Sequence, residues 1–208
     1  MSELVPAGWI KICGLTTPEA VDAALAAGAD AIGFVCAESV RRVTPARAAE
    51  LAAPALGRAS CVAVTKHPDL ALLQEIDAEW LPDFWQSDVE DLVAGDIAAQ
   101  LPHALRLPVL RAGRPWPEPL PASALFEGPV SGTGQVGDWD EAAQLAQRTQ
   151  LVLAGGLNAA NVAAAIRRVR PWGVDVSSGV EQSPGVKSPA KIMEFVRVAR
   201  AAFEELQS

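Results

Sequence analysis

A (β/α)₈ barrel, an α/β fold, is the class this sequence predicts, and three observations predict it. Eight short apolar runs alternate with about seven helical stretches along 208 residues. Such alternation demands parallel strand pairing through right-handed crossovers. Two consecutive runs, Leu151-Val-Leu-Ala-Gly-Gly-Leu157 and Gly173-Val-Asp-Val-Ser-Ser-Gly179, end in small-residue turns. Strands seven and eight of such barrels end this way where backbone N–H groups crowd around a phosphate. The turn after the first run, Cys13-Gly-Leu-Thr16, lacks the glycine fingerprint of an open doubly wound sheet, which is the second choice of fold. Residues 1–208 are read as a single catalytic barrel domain with short loops.

Each element has its own signal. Trp9 to Leu15 predicts the first strand; Thr17 caps a helix with Pro18 in its first turn, and Gly28 ends it. Ala31 to Ala37 predicts strand two, and Thr44-Pro45 opens a helix running to about Ala53. Ser60 to Thr65 is strand three, Asp69 to Asp77 a short helix, and Trp80 to Gln86 strand four. Val89 to Leu101 is weakly helical, interrupted by Gly95. Leu107 to Ala112 is strand five. Arg114 to Pro121 carries four prolines, so the fifth helix is irregular or missing. Ala124 to Glu127 is strand six, and Asp138 caps a helix to Arg148. After strand seven, Asn158 caps a helix from Ala159 to Arg170. Gly173 to Val176 is strand eight, Ser183-Pro-Gly185 a turn, and Pro189 to Leu206 the closing helix.

The totals exclude several functions. Half of the residues are hydrophobic, which argues against disorder, and the net charge of −8 argues against a nucleic-acid partner. No apolar run reaches the roughly 18 residues of a membrane span, and Met1-Ser-Glu-Leu-Val-Pro6 has no signal-peptide pattern. Three scattered cysteines make no disulfide framework, so the cytoplasm is the expected compartment. No His/Cys/Asp spacing suggests a metal site. The oligomeric state is left open between monomer and homodimer.

The chemistry of such a barrel sits at the carboxyl ends of the strands. Side chains alternate along each strand, so an inward Cys13 at the rim sets Lys11 inward one layer below. By the same count Gln86 ends strand four, Arg111 strand five and Glu127 strand six, with Asp175 inside strand eight. These polar residues stand where a structural barrel prefers Val, Ile or Leu. Strands one and eight are neighbours, so Lys11 and Asp175 are expected to pair. Gly155, Gly156, Ser178 and Gly179 are the candidate phosphate ligands, through their backbones. Cys36 and Cys61 lie inside apolar runs and are read as small buried hydrophobes. His67 and His103 fall in proline-flanked loops and are expected to be exposed.

Seven blocks, in order, resemble one family. They are Lys11-Ile-Cys-Gly-Leu15, Gly33-Phe-Val35, Ser39-Val-Arg-Arg-Val-Thr-Pro45, Ser131-Gly-Thr-Gly134, Asp138-Trp139, Leu153-Ala-Gly-Gly-Leu-Asn158, and Asp175-Val-Ser-Ser-Gly-Val-Glu181 with Ser183-Pro-Gly-Val-Lys187. Together they resemble phosphoribosylanthranilate isomerase over nearly the whole chain. The resemblance implies a cofactor-free Amadori rearrangement of a small phosphorylated substrate, in tryptophan biosynthesis. It implies Cys13 as general base, Glu127 as general acid and Arg41 as the partner of the anthranilate carboxylate, with Arg42 solvated. Lys11, Gln86 and Asp175 join Arg41 as substrate-binding candidates. Burial is expected to raise the pKa of Glu127, and Lys11 with nearby helix N-termini to favour the thiolate of Cys13. Two positions depart from the family pattern. The acid after strand six is usually aspartate and here is Glu127. The Gln-Leu-His-Gly sequence after strand four reads Gln86-Ser-Asp-Val89, without the histidine. Rival readings are another phosphate-binding barrel isomerase or epimerase, and a non-catalytic phosphate-ligand binding protein.

Overall fold

A computed structural model describes residues 8–93, 99–129 and 138–207. Eight parallel strands close into a barrel in sequence order. They are β1 (Trp9–Cys13), β2 (Ala31–Val35), β3 (Ser60–Val64), β4 (Phe84–Asp88), β5 (Leu105–Arg111), β6 (Ser123–Glu127), β7 (Gln150–Leu153) and β8 (Gly173–Val176). The ring closes where β1 pairs with β8, in a register that sets Lys11 beside Asp175.

The helices cover the outside. They are α1 (Pro18–Ala26), α2 (Pro45–Ala52), α3 (Leu70–Glu79), α4 (Val89–Val93), α5 (Trp139–Ala146), α6 (Val162–Val169) and α7 (Pro189–Gln207). Thr17, Thr44, Asp69 and Asp138 cap their helices, each side chain accepting from a first-turn N–H. No helix lies among the described residues between β5 and β6, where the prolines crowd. No described helix is long and apolar enough to cross a membrane.

Strand alternation sorts the core into two layers. Ile10, Ile12, Ile32, Phe34 and Phe126 point outward to the helices. Trp9, Ala31, Val62, Phe84, Leu107, Leu125 and Val152 fill the barrel's inside. The same parity turns Lys11, Cys13, Gln86, Asp88, Arg111, Glu127 and Asp175 inward.

Several boundaries differ from expectation. β4 begins at Phe84, not Trp80, because Trp80 closes α3 with its N–H on Ile76, and Pro82 follows. The strand therefore runs on to Asp88, which stands at the rim beyond Gln86. α6 begins at Val162, because Asn158 caps a preceding turn instead, its Oδ1 accepting from Ala160 N–H while Asn161 Oδ1 accepts from Asn158 N–H. The weakly helical stretch after β4 is helical at Val89–Val93, and its Gly95 lies outside the described residues. The Ser131-Gly-Thr-Gly134 block lies outside them too.

After β8 the chain makes a 3₁₀ turn at Ser178–Val180, then an antiparallel hairpin of β9 (Glu181–Ser183) and β10 (Val186–Lys187). Gly185 turns this hairpin at φ +81, and a Cβ there would meet Val40 carbonyl oxygen at 2.8 Å. The turn thus folds back against the loop after β2 that carries Arg41.

Candidate active site

A cavity of about 250 Å³ opens at the carboxyl end of the strands. Cys13, Arg41, Gln86, Arg111, Glu127 and Asp175 all line it. A smaller hollow of about 60 Å³ adjoins it, lined by Gly155, Gly156 and Ser178 but not by Gly179, and shares Glu127, Asp175 and Ser177 with the first. A larger cleft, about 550 Å³, lies at the opposite end of the barrel among Trp9, Arg58, Trp80 and Leu81. Its carboxylates are committed to structure: Asp30 accepts from Ile10 N–H and Asp83 from Cys61 N–H. The cavity of about 250 Å³ at the carboxyl end holds the reactive groups.

Lys11 does not line that cavity. It is wholly buried and donates to Asp175 at 2.9 Å. Burial opposes its charge, but Asp175 and Cys13 outweigh burial and its pKa is raised. Direct substrate contact is therefore replaced by a charged support under the floor. Gly33 of β2 makes room for it, since a Cβ there would stand 3.0 Å from Lys11 Cε and 3.2 Å from Cys13 Sγ.

Cys13 lies above, 6% exposed. Burial pushes its pKa up and Asp175 adds to that, while Lys11 and Lys187 pull it down without prevailing. The expected resting thiolate gives way to a neutral thiol, chiefly because burial penalises the charged form. Cys36 and Cys61 are buried, with pKa values pushed by burial to about 11 and about 12.

Arg41 is held from behind. Its Nε donates to Glu181 Oε1 at 2.6 Å and its Nη2 to Oε2 at 3.0 Å. Glu181 also accepts from Lys187 Nζ at 2.8 Å and from Gly185 N–H at 3.2 Å. Burial works against this carboxylate's charge, but the hydrogen bonds from Arg41 and Lys187 win and lower its pKa to about 2. Lys187 also donates to Ser177 carbonyl oxygen at 2.9 Å, tying the hairpin to the turn after β8. The sequence block contained Glu181 and Lys187 without revealing these tasks. The available signal was two charges of opposite sign six residues apart around Pro-Gly, a pattern shared by many exposed turns.

Across the cavity Arg111 donates to Glu127 from Nη1 and to Asp88 from Nη2. Asp88 is a site residue that the sequence reading placed past the end of β4. His67 stands behind it, exposed as expected, with Nε2 3.5 Å from Asp88 and Nδ1 3.0 Å from Asp91. Gln86 Oε1 is buried with no hydrogen-bond partner among the described residues, an acceptor facing the same cavity.

The two glycine turns meet backbone to backbone. Gly155 and Gly156 take φ of +84 and +65, the left-handed region that glycine enters most readily. At Gly179 a Cβ would stand 1.9 Å from Leu157 carbonyl oxygen, so only glycine lets the turns after β7 and β8 touch. Among the described residues no group of three or more His, Cys, Asp or Glu is disposed to hold a metal ion.

Comparison with known proteins points the same way. The family model for N-(5′-phosphoribosyl)anthranilate (PRA) isomerase matches residues 10–198. A protein of Roseiflexus sp. named N-(5′-phosphoribosyl)anthranilate isomerase is 43% identical over 209 residues, spanning 93% of this chain and 98% of its own. The crystal structure of TrpF from Jonesia denitrificans is 37% identical with a TM-score of 0.76, covering 93% of this chain and 97% of that one. Phosphoribosyl anthranilate isomerase from Thermotoga maritima reaches a TM-score of 0.80 at 28% identity, with 93% and 98% covered. With its whole barrel matched, and with a cysteine and a carboxylate lining one cavity beside paired glycine turns, the chain belongs to the phosphoribosylanthranilate isomerase family.

Proposed function

We propose that this chain converts N-(5′-phosphoribosyl)anthranilate to 1-(2-carboxyphenylamino)-1-deoxyribulose 5-phosphate, with Cys13 as base and Glu127 as acid. The observation that carries the assignment is that both groups line one cavity, flanked by Arg41 and adjoining the glycine turns. The reaction needs this arrangement. The phosphate is held by backbone N–H groups of Gly155, Gly156, Ser178 and Gly179. Arg41 takes the aromatic carboxylate with the part of its planar fork not used by Glu181. Glu127 gives a proton to the furanose ring oxygen, the C1′–O bond breaks, and the anthranilate nitrogen becomes the cation of a Schiff base. Cys13 removes the proton from C2′, and the electron pair left behind forms the enolamine, which tautomerises to the ketone. Gln86 and Asp175 line the space for the ribose hydroxyls, and the orphaned Gln86 oxygen is suited to accept from one.

The base starts as a thiol, which fits this order of events. The Schiff-base cation forms next to the carbon that Cys13 must deprotonate. A positive charge there favours the thiolate at the step that uses it, as a neighbouring cation does for any cysteine.

The test is turnover of freshly made substrate by the purified chain, with Cys13→Ala and Glu127→Gln beside it. Each variant should lose ~10²–10⁴-fold in kcat while still binding product. Absence of turnover in the parent chain, with phosphate still bound, would favour a binding protein instead.

A further inference from the structure

The two positions at which this chain departs from its family's pattern are joined by one side chain. By the resemblance drawn from the sequence blocks, Asp88 takes the place of a histidine and Glu127 that of an aspartate. Arg111, between them on β5, grips both. It is 8% exposed, and the two carboxylates have side chains 9% and 15% exposed, so the three are screened little by water. The strands fix this geometry. β4 pairs with β5 and β5 with β6, with Arg111 directly opposite Glu127 in register.

An arginine on a general acid has two opposed effects. Its fork fixes where the carboxyl points, which helps a longer and looser glutamate. Its charge also favours the carboxylate over the protonated form that an acid must take. A second carboxylate on the same guanidinium offsets the second effect without undoing the first. We propose that Arg111 and Asp88 form a positioning pair for Glu127, in which Arg111 aims the acid and Asp88 draws off guanidinium charge so that Glu127 can hold its proton. This inference rests on the reading of Glu127 as the acid.

Among the described residues, the other charged groups lining the cavity with Glu127 are Asp175 from β8, Arg41 and Glu38 from the loop after β2, and Lys66 after β3, with the thiol of Cys13 from β1. His67 touches Asp88 and, together with Ser87, holds Asp91 behind it. The experiment is the pH profile of kcat for Glu127→Gln, Asp88→Asn, Arg111→Gln and Arg111→Lys, with product affinity measured for each. Glu127→Gln identifies the limb that belongs to the acid, by abolishing it. That limb should move to lower pH by about one unit in Asp88→Asn and to higher pH by a similar amount in Arg111→Gln. Arg111→Lys keeps the charge but loses the fork, so the limb should stay and kcat should fall about tenfold or more, with KM little changed. Retained product affinity shows that the fold persists; if Asp88→Asn does not fold, Asp88→His, the family's own residue, replaces it. Limbs that stay put or move together overturn the pairing while leaving Glu127 as the acid. Full activity in Glu127→Gln overturns both.

Discussion

Glu181 holds Arg41 by two parallel hydrogen bonds, from Nε and Nη2, and so fixes the plane of its guanidinium at the mouth of the cavity. The loop after β2 and the hairpin after β8 meet through this pair. A planar cation held on one edge offers its other N–H groups in a set direction, which suits a carboxylate ligand. Glu181→Gln tests the role. A glutamine amide turns a donor toward a donor of Arg41 and cannot accept from both nitrogens. Affinity for the carboxylate-bearing product should fall roughly 10–100-fold, or ~1.4–2.7 kcal/mol, while inorganic phosphate binds as before. Adding Arg41→Ala should cost nothing further. An Arg41→Ala variant with unchanged product affinity would remove Arg41, and Glu181 with it, from the ligand's path.

The same carboxylate should make the protein sensitive to acid. Its pKa in the fold is about 2, below the usual glutamate value of 4.5. A lowered pKa contributes stability that is complete above the unfolded value and is lost as pH falls through the folded one. Between pH 4.5 and 2 the loss from Glu181 should be on the order of 1–3 kcal/mol. Denaturant titrations at a series of pH values should show the parent losing more stability across that window than Glu181→Gln does. Equal slopes would place the acid sensitivity elsewhere.

Gly179 should tolerate no side chain. Alanine there would drive its Cβ into Leu157 carbonyl oxygen, and the obstacle is backbone rather than a movable side chain. The turns after β7 and β8 must part to admit it. Forced overpacking costs typically ~1–3 kcal/mol, so phosphate affinity should fall roughly 10–100-fold if those turns hold the phosphate. Isothermal titration with inorganic phosphate reads this directly. Unchanged affinity in a folded Gly179→Ala variant would put the phosphate site elsewhere.

The barrel was legible because strand and helix periods alternate so regularly, and because caps such as Thr17, Thr44 and Asp138 act locally. Parity alone turned Lys11, Cys13, Arg111 and Asp175 inward, since a strand has only two faces. Long-range pairing was less legible. That Arg111 reaches two strands at once, or that Glu181 crosses to Arg41, depends on barrel register and on a hairpin whose sequence reads like any turn. The start of β4 was misread because Trp80 looks like a strand residue while serving to end α3. Protonation is the least legible: Lys11 next to Cys13 suggests a thiolate, but burial, with Asp175 adding to it, raises the pKa of the thiol.

That last relationship gives a prediction about reactivity. The Cys13 thiol is buried and its pKa lies above the ordinary thiol value, chiefly because burial penalises the thiolate, with Asp175 adding to the effect. Only the thiolate is alkylated. The rate at which iodoacetamide labels Cys13, read by peptide mapping, should therefore climb about tenfold per pH unit through neutrality and still be rising past pH 9. Product should protect it, because Cys13 lines the cavity that product would fill. Asp175→Asn removes the anion that opposes the thiolate and releases Lys11 from its partner. Both changes favour the thiolate, so labelling at pH 7.5 should speed up about tenfold or more. Cys36 and Cys61 provide the internal reference, because both are buried and neither lines the cavity, so product should leave their labelling unchanged. A Cys13 labelling rate that is flat from pH 6 to 9 would mean a thiolate already present at rest. The base would then need no help from the substrate's own cation, and the order of events proposed for the proton transfer would have to be given up.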